Sequence, residues 1–157
     1  MAKHIGNQLP AEVIAALDGR DLEGKFGKTY LIMTTDQDGT PRPCMLSAGE
    51  MLVNRPDAIR LALWPGSRTG ANLARGGRVV ACYVAPETVL YIRGKSRALA
   101  AWDNPKIDRF EILVESVESD GHEGLPVVHG IEFTADDAAR KPMMDSWLPV
   151  LDALRAP

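Results

Sequence analysis

Apolar and polar positions alternate through the middle of the chain in short runs separated by turn residues. Thr29–Thr35 (TYLIMTT) is rich in β-branched and aromatic residues and ends at Asp36-Gln37-Asp38-Gly39. Asp-Gly tolerates the positive φ angles of a tight turn, so the pattern predicts a hairpin. Pro41–Ser47 is its returning strand, with prolines suited to an edge or a strand end. Glu50–Val53 reads as a short strand, Asn54–Asp57 as a turn and Ala58–Trp64 (AIRLALW) as a further strand. Val79–Val84 and Thr88–Leu99 follow, joined at Ala85-Pro86-Glu87. Ile107–Val117 alternates as a strand after a loop over Trp102–Lys106.

Helical spacing occurs in three places. Leu9, Val13, Ile14 and Leu17 lie on one stripe of a short helix, with Pro10 in its first turn and Gly19 as its stop. Ala71–Arg75 forms a second short helix ended by Gly76-Gly77. Thr134–Leu154 is a terminal helix: Thr134 with Asp137 resembles a capping box, and Met144, Trp147, Leu148, Leu151 and Leu154 recur on one face. Pro142 and Pro149 interrupt its backbone ladder and predict a break or kink near Pro142. Arg20–Lys28 and His122–Gly130 read as loops. Six or seven antiparallel strands with short flanking helices and a C-terminal helix make a mainly β, α+β barrel, one domain over residues 1–157.

Bulk properties narrow the function. At 157 residues, 45% hydrophobic and 25% charged, the chain has apolar material for one core. A formal charge of -3 supplies no basic footprint for nucleic acid. The basic stretch Arg93–Arg97 alternates as a solvated strand face. No run reaches the ~20 apolar residues of a membrane span, and Met1–Pro10 lacks the apolar core of a signal peptide. Cys44 and Cys82 stand in strand contexts and read as free thiols of a reducing compartment, which places the chain in the cytoplasm.

The segment with most chemical content is Pro65-Gly66-Ser67-Arg68-Thr69-Gly70, between a strand and a short helix. A helix N-terminus exposes unpaired N–H groups and a positive dipole end. Gly66 and Gly70 permit close approach of the backbone to a ligand. Ser67 and Thr69 add hydroxyls, and Arg68 adds a fork matched to phosphate oxygens. The same residues also describe a capped turn carrying an exposed arginine.

The run LALWPGSRTGANLARGGRVVACYV resembles the flavin-phosphate segment of the pyridoxamine 5'-phosphate oxidase-like split barrels. In those proteins a strand leads into a Ser/Thr-Arg/Lys-Lys/Thr cluster, a short helix with Asn-Leu, and an Arg-Val opening the next strand. Here these are Ser67, Arg68, Thr69, Asn72, Leu73, Arg78 and Val79. Asp38-Gly39-Thr40-Pro41 with the strand to Ser47, and Tyr91-Ile92-Arg93-Gly94-Lys95-Ser96, resemble two further elements of that family. The likeness covers Tyr30 to Leu99. It implies a split β-barrel homodimer with FMN at the subunit interface and its phosphate on Ser67, Arg68 and Thr69. Pro43, Cys44, Met45, Leu46 and Ser47 would contact the ring, largely through backbone groups. Trp64 would precede the phosphate loop, and Tyr91 would approach from the partner subunit. Thr69 stands where many relatives use lysine. The Arg-x-His element that grips pyridoxamine phosphate in the true oxidases is missing, which argues against that substrate.

Rival motifs fail on residue grounds. Gly24-Lys25-Phe26-Gly27-Lys28-Thr29 superficially resembles a phosphate-binding P-loop, but the first glycine would fall at Leu22 and a strand follows it. His4, His122 and His129 are too dispersed for a local metal motif. Gly66-Ser67-Arg68-Thr69-Gly70 places Ser second, not third, as a hydrolase elbow would need. The expected function is an FMN-dependent oxidoreductase in which the cofactor carries hydride or electrons. The alternatives are a non-catalytic carrier dimer for a flavin or other small ligand, and a barrel acting through its dimer surface without cofactor. Relatives using haem or the deazaflavin F420 widen the choice of group.

Overall fold

In the computed structural model, residues 2–103 and 106–157 are described. The loop expected over Trp102–Lys106 therefore lies partly outside the described residues. In chain order the elements are β1 (Lys3–Gly6), α1 (Ala11–Ala16), β2 (Lys28–Thr35), β3 (Pro41–Ser47), β4 (Met51–Arg55) and β5 (Ala58–Leu63). Then come α2 (Arg68–Ala74), β6 (Arg78–Ala85), β7 (Thr88–Ala98), β8 (Asp108–Ser119), β9 (Ile131–Glu132) and α3 (Asp137–Arg155).

Seven strands form one antiparallel path in the order β3-β2-β6-β7-β8-β5-β4, with β1 added to β8 and β9 to β2. Its two ends, β3 and β4, are consecutive in the chain, so the sheet curls into a half-barrel. Alternation decides which face turns inward. In β2, Tyr30, Ile32 and Thr34 are buried while Leu31 and Met33 face outward half-covered. The register carries this across the sheet: Ile32 opposes Cys44 and Ala81, Ala81 opposes Ile92, and Ile92 opposes Val117. Ile32, Ile92, Ile112 and Val117 are essentially fully buried inside the curl, each stabilising by roughly 1.5–3 kcal/mol.

Strands β1 and β9 lie outside the six or seven read from alternation. Their residues are almost all exposed, so neither carries a buried face to mark it. The terminal helix begins two residues late, with Asp136 and not Thr134 as its cap; the Asp136 carboxylate accepts the Ala139 N–H at 2.8 Å. No break occurs at Pro142. The helix runs through both prolines, because its footing is tertiary: Trp147, Leu151, Ala153 and Leu154 are buried against the sheet. Leu148, expected on the same stripe, is exposed.

Two arginines clasp the far end of α3. The Arg60 guanidinium donates to the Leu154 carbonyl at 2.8 Å, and Arg109 donates to the Ala153 carbonyl at 2.7 Å. Arg60 also donates to the buried Glu111 carboxylate, which takes a second partner in Arg97. Burial alone would raise the Glu111 carboxyl; hydrogen bonds from Arg97 and Arg60 hold it below its ordinary value.

Candidate functional site

Helix α2 starts three residues earlier than the apolar spacing suggested, which alters what the preceding loop can offer. Arg68, Thr69 and Gly70 are its first turn, and Ser67 is its cap. The Ser67 hydroxyl oxygen accepts the Gly70 N–H at 3.0 Å. That bond stabilises the helix start and leaves the hydroxyl proton as the donor. The N–H groups of Arg68 and Thr69 have no backbone acceptor among the described residues. Gly66 takes a φ of +76° over open space, the left-handed geometry that glycine accepts without penalty.

Arg68 is exposed and makes no hydrogen bond or ion pair among the described residues. Its charge acts on the carboxylate of Asp36, which is already engaged. Arg42 donates to Asp36 from Nε at 2.7 Å and from Nη2 at 2.6 Å, and the Asn72 amide donates at 2.8 Å. Those bonds, Arg42 first and Asn72 second, pull the Asp36 carboxyl down to about 2. The guanidinium of Arg68 thus has no carboxylate partner among the described residues.

The remaining residues of the cluster do different work. Asn72 is buried; its amide also donates to the Thr34 hydroxyl at 3.0 Å, and its carbonyl oxygen accepts from Arg75 at 2.8 Å. It ties α2 to the end of β2. Thr69 is buried with its hydroxyl beside the Cys44 thiol; burial pushes that thiol up, and Thr69 partly opposes the shift. Cys44 and Cys82 are both free.

Strand β3 divides by alternation. Cys44 and Leu46 turn toward the core, while Pro43 and Met45 face outward and Met45 is 60% exposed. The Ser47 hydroxyl and N–H both donate to Glu50 Oε2, at 2.7 and 2.8 Å. Tyr91 shares the outward face, in the row Met45–Leu31–Cys82–Tyr91, three strand spacings from Met45. That separation from Met45 is about 14 Å. Its hydroxyl donates to Asp120 at 3.0 Å.

A cavity of about 650 Å³ opens between β3, the end of β5 and α3. Met45 and Ser47 of β3, and Ala62 and Trp64 at the end of β5, form one side; Met143, Trp147 and Val150 of α3 form the other. Trp64 is 69% exposed and stands three residues before Ser67, so cavity and corner are joined through Pro65-Gly66. Sequence reasoning overlooked Glu50 and the part played by α3. The Ser47-x-x-Glu50 spacing was the available signal for the first.

The fold is that of the pyridoxamine 5'-phosphate oxidase-like split barrels. A candidate pyridoxamine 5'-phosphate oxidase from Lactobacillus delbrueckii superposes with a TM-score of 0.55 at 19% identity, covering 74% of this chain and 98% of that one. A Clostridium acetobutylicum protein of the pyridoxinephosphate oxidase family, related to a Bacillus subtilis general stress protein, gives 0.51 at 14% identity, covering 74% and 90%. A haem-binding protein from Mycobacterium smegmatis gives 0.52 at 16% identity, covering 72% and 56%. In sequence, the chain is 24% identical over 151 residues to the uncharacterized protein YclD of Bacillus subtilis, covering 95% of this chain and 97% of that protein. No family model matches the sequence. Among the described residues, no helix is long and apolar enough to cross a membrane.

Proposed function

We propose that the chain binds FMN as a homodimer and works as a flavin-dependent oxidoreductase on a substrate other than pyridoxamine phosphate. The observation that carries this reading is the Ser67–Thr69 corner. Among the described residues, a guanidinium without a hydrogen-bond or ion-pair partner, two N–H groups without backbone acceptors and an open left-handed glycine stand together where a strand meets a helix. Those donors suit the terminal phosphate of a flavin mononucleotide. A single positive charge is available there, because Thr69 replaces a second cation.

In this reading Arg68 and the adjoining N–H groups hold the phosphate, and the backbone of Pro43–Ser47 orients the ring. Trp64 and Met45, both large and exposed, gain cover from ligand and partner. FMN would supply hydride or electron transfer, and the protein supplies anchoring and a partly dry wall. The homodimer is supported by the outward face of the sheet, where Leu31, Met33, Val80 and Cys82 form a half-covered apolar patch beside Met45. Such a patch marks an association surface. The element after β8 and β9 is the helix α3, with no Arg-x-His pair to grip pyridoxamine phosphate.

The test is reconstitution with FMN, followed by gel filtration and a visible spectrum. A retained flavin band in a dimeric peak supports the proposal, and bleaching by NADH or NADPH supports the enzyme over the carrier. A colourless protein, or a haem or F420 spectrum, contradicts it.

A further inference from the structure

Two tyrosines occupy one end of the barrel interior. Tyr30 of β2 and Tyr83 of β6 both pack against the core, their rings stacked with centroids 6.0 Å and planes 13° apart. Tyr30 is 6% exposed, yet neither phenol hydroxyl makes a hydrogen bond among the described residues. A buried hydroxyl without a partner costs stability and calls for an acceptor from outside the chain. The Tyr30 hydroxyl is also not sealed off, in contrast to the unpaired Arg109 Nε. It opens on a second, smaller cavity of about 260 Å³, which both tyrosines line.

The other walls narrow the choice of guest. Ala16, Val84 and Ile131 are apolar, and the charged side chains around the space are two lysines, with no aspartate, glutamate or histidine beside them. Their carboxylate partners lie outside it: Lys25 donates to Asp18 at 2.5 Å and to the Ala15 carbonyl at 2.6 Å, and Lys28 pairs with Glu132. An ammonium carries three donors, so both lysines keep N–H groups to spare. Burial, with Tyr83 alongside, pushes the Tyr30 phenol up to about 12; burial and then Glu12 raise that of Tyr83. Both therefore remain O–H donors at neutral pH. The volume of about 260 Å³ exceeds the ~150 Å³ in which a benzene is held, so a single ring with one substituent fits.

We infer that this smaller cavity binds a monocyclic aromatic carboxylate, its ring against the apolar walls and its carboxylate accepting from the Tyr30 and Tyr83 hydroxyls. The lysines supply the compensating charge. The site is independent of the flavin reading: no residue of β3 or of the Ser67–Thr69 corner lines it, and it shares only Thr29 and Ile131 with the larger cavity. Tyr30 lies four residues before Thr34, where the Asn72 amide ties α2 to β2, about 14 Å along the strand.

The test titrates the whole chain with benzoate and with benzyl alcohol, its uncharged counterpart, by ligand-observed nuclear magnetic resonance. Benzoate is expected to bind about tenfold or more tightly than the alcohol. Tyr30→Phe keeps the ring and should weaken benzoate by roughly tenfold. The thermal midpoint of the ligand-free variant should stay level or rise, since the deleted hydroxyl had no partner. Tyr83→Phe, at a half-buried position, should weaken benzoate in the same direction. Saturating FMN and Arg68→Ala should each leave benzoate bound. A chain that holds benzoate but never takes up FMN sinks the flavin reading and leaves this one standing. Loss of benzoate on adding FMN, or in Arg68→Ala, would place it at the phosphate corner and overturn the inference. So would equal affinity for the alcohol, no benzoate binding at millimolar concentration, or benzoate binding untouched by both tyrosine variants. A lowered midpoint of ligand-free Tyr30→Phe would show the hydroxyl partnered within the protein, and also overturns it.

Discussion

Trp147 of the last helix rests directly on the backbone of Gly49. A Cβ at position 49 would lie 1.9 Å from the Trp147 ring, inside its van der Waals surface. The turn between β3 and β4 thus seats the helix that walls the cavity, and a hydrogen at position 49 is what lets it do so. Gly49→Ala is expected to destabilise by about 2 kcal/mol, the scale of overpacking a tight contact, and to change the near-ultraviolet signal of Trp147. Gly121→Ala, where nothing lies within 4 Å, should stay within about 0.5 kcal/mol. Urea unfolding of both variants checks this; equal stabilities would show that Trp147 is not seated there.

Glu111 holds the opposite end of the same helix indirectly. Its carboxylate is 1% exposed and holds Arg60, which in turn grips the Leu154 carbonyl. Arg60→Ala leaves that carboxylate short of a partner and releases the helix end. A loss of about 3–5 kcal/mol is expected, as for breaking a buried ion pair. Replacing Arg155, which pairs with Asp152 at the surface, should cost under about 1 kcal/mol. Similar losses for Arg60→Ala and Arg155→Ala in chemical denaturation would refute the clasp.

Acid should act through Asp36. Its carboxyl sits at about 2 in the folded chain against an ordinary 3.8, so the unfolded chain takes up the proton first. The stabilisation is complete above the ordinary value and disappears as pH falls through about 2. Comparing thermal midpoints of the native protein and Asp36→Asn from pH 7 down to pH 2 gives the readout. The native protein's advantage should shrink below about pH 4, and an advantage that grew in acid would reverse the assignment.

The outward face of the sheet predicts how the assembly responds to charge. Val80→Glu places a carboxylate amid Met33, Cys82 and Leu31, away from the core. Sedimentation should show a folded monomer, and FMN should bind roughly tenfold or more weakly if the flavin lies between subunits. A dimer that survived the substitution would move the interface elsewhere.

Much of the fold was legible because one face of most strands is buried and one is not: Tyr30, Ile32 and Thr34 in β2 mark their strand without ambiguity. Lys3–Gly6 left no such mark, because a strand exposed on both sides has no apolar period to read. The start of α2 was misplaced for a related reason. Arg68-Thr69-Gly70 carries no apolar spacing, and the evidence for its helical turn is the Ser67 cap on Gly70. Ser67, Arg68 and Thr69 were visible as a local cluster in the chain. The cavity was not, since Ser47, Trp64, Phe133 and Trp147 meet only through the curl of the sheet and the docking of α3.

The phosphate grip at Arg68 is tested most directly by titrating native protein and Arg68→Ala with FMN and with riboflavin, which differ only in the phosphate. FMN should bind the native protein more tightly than riboflavin, and Arg68→Ala should weaken FMN by about 1.5–3 kcal/mol while leaving riboflavin unchanged. Equal affinities for the two flavins in the native protein, or equal losses in the variant, would contradict it.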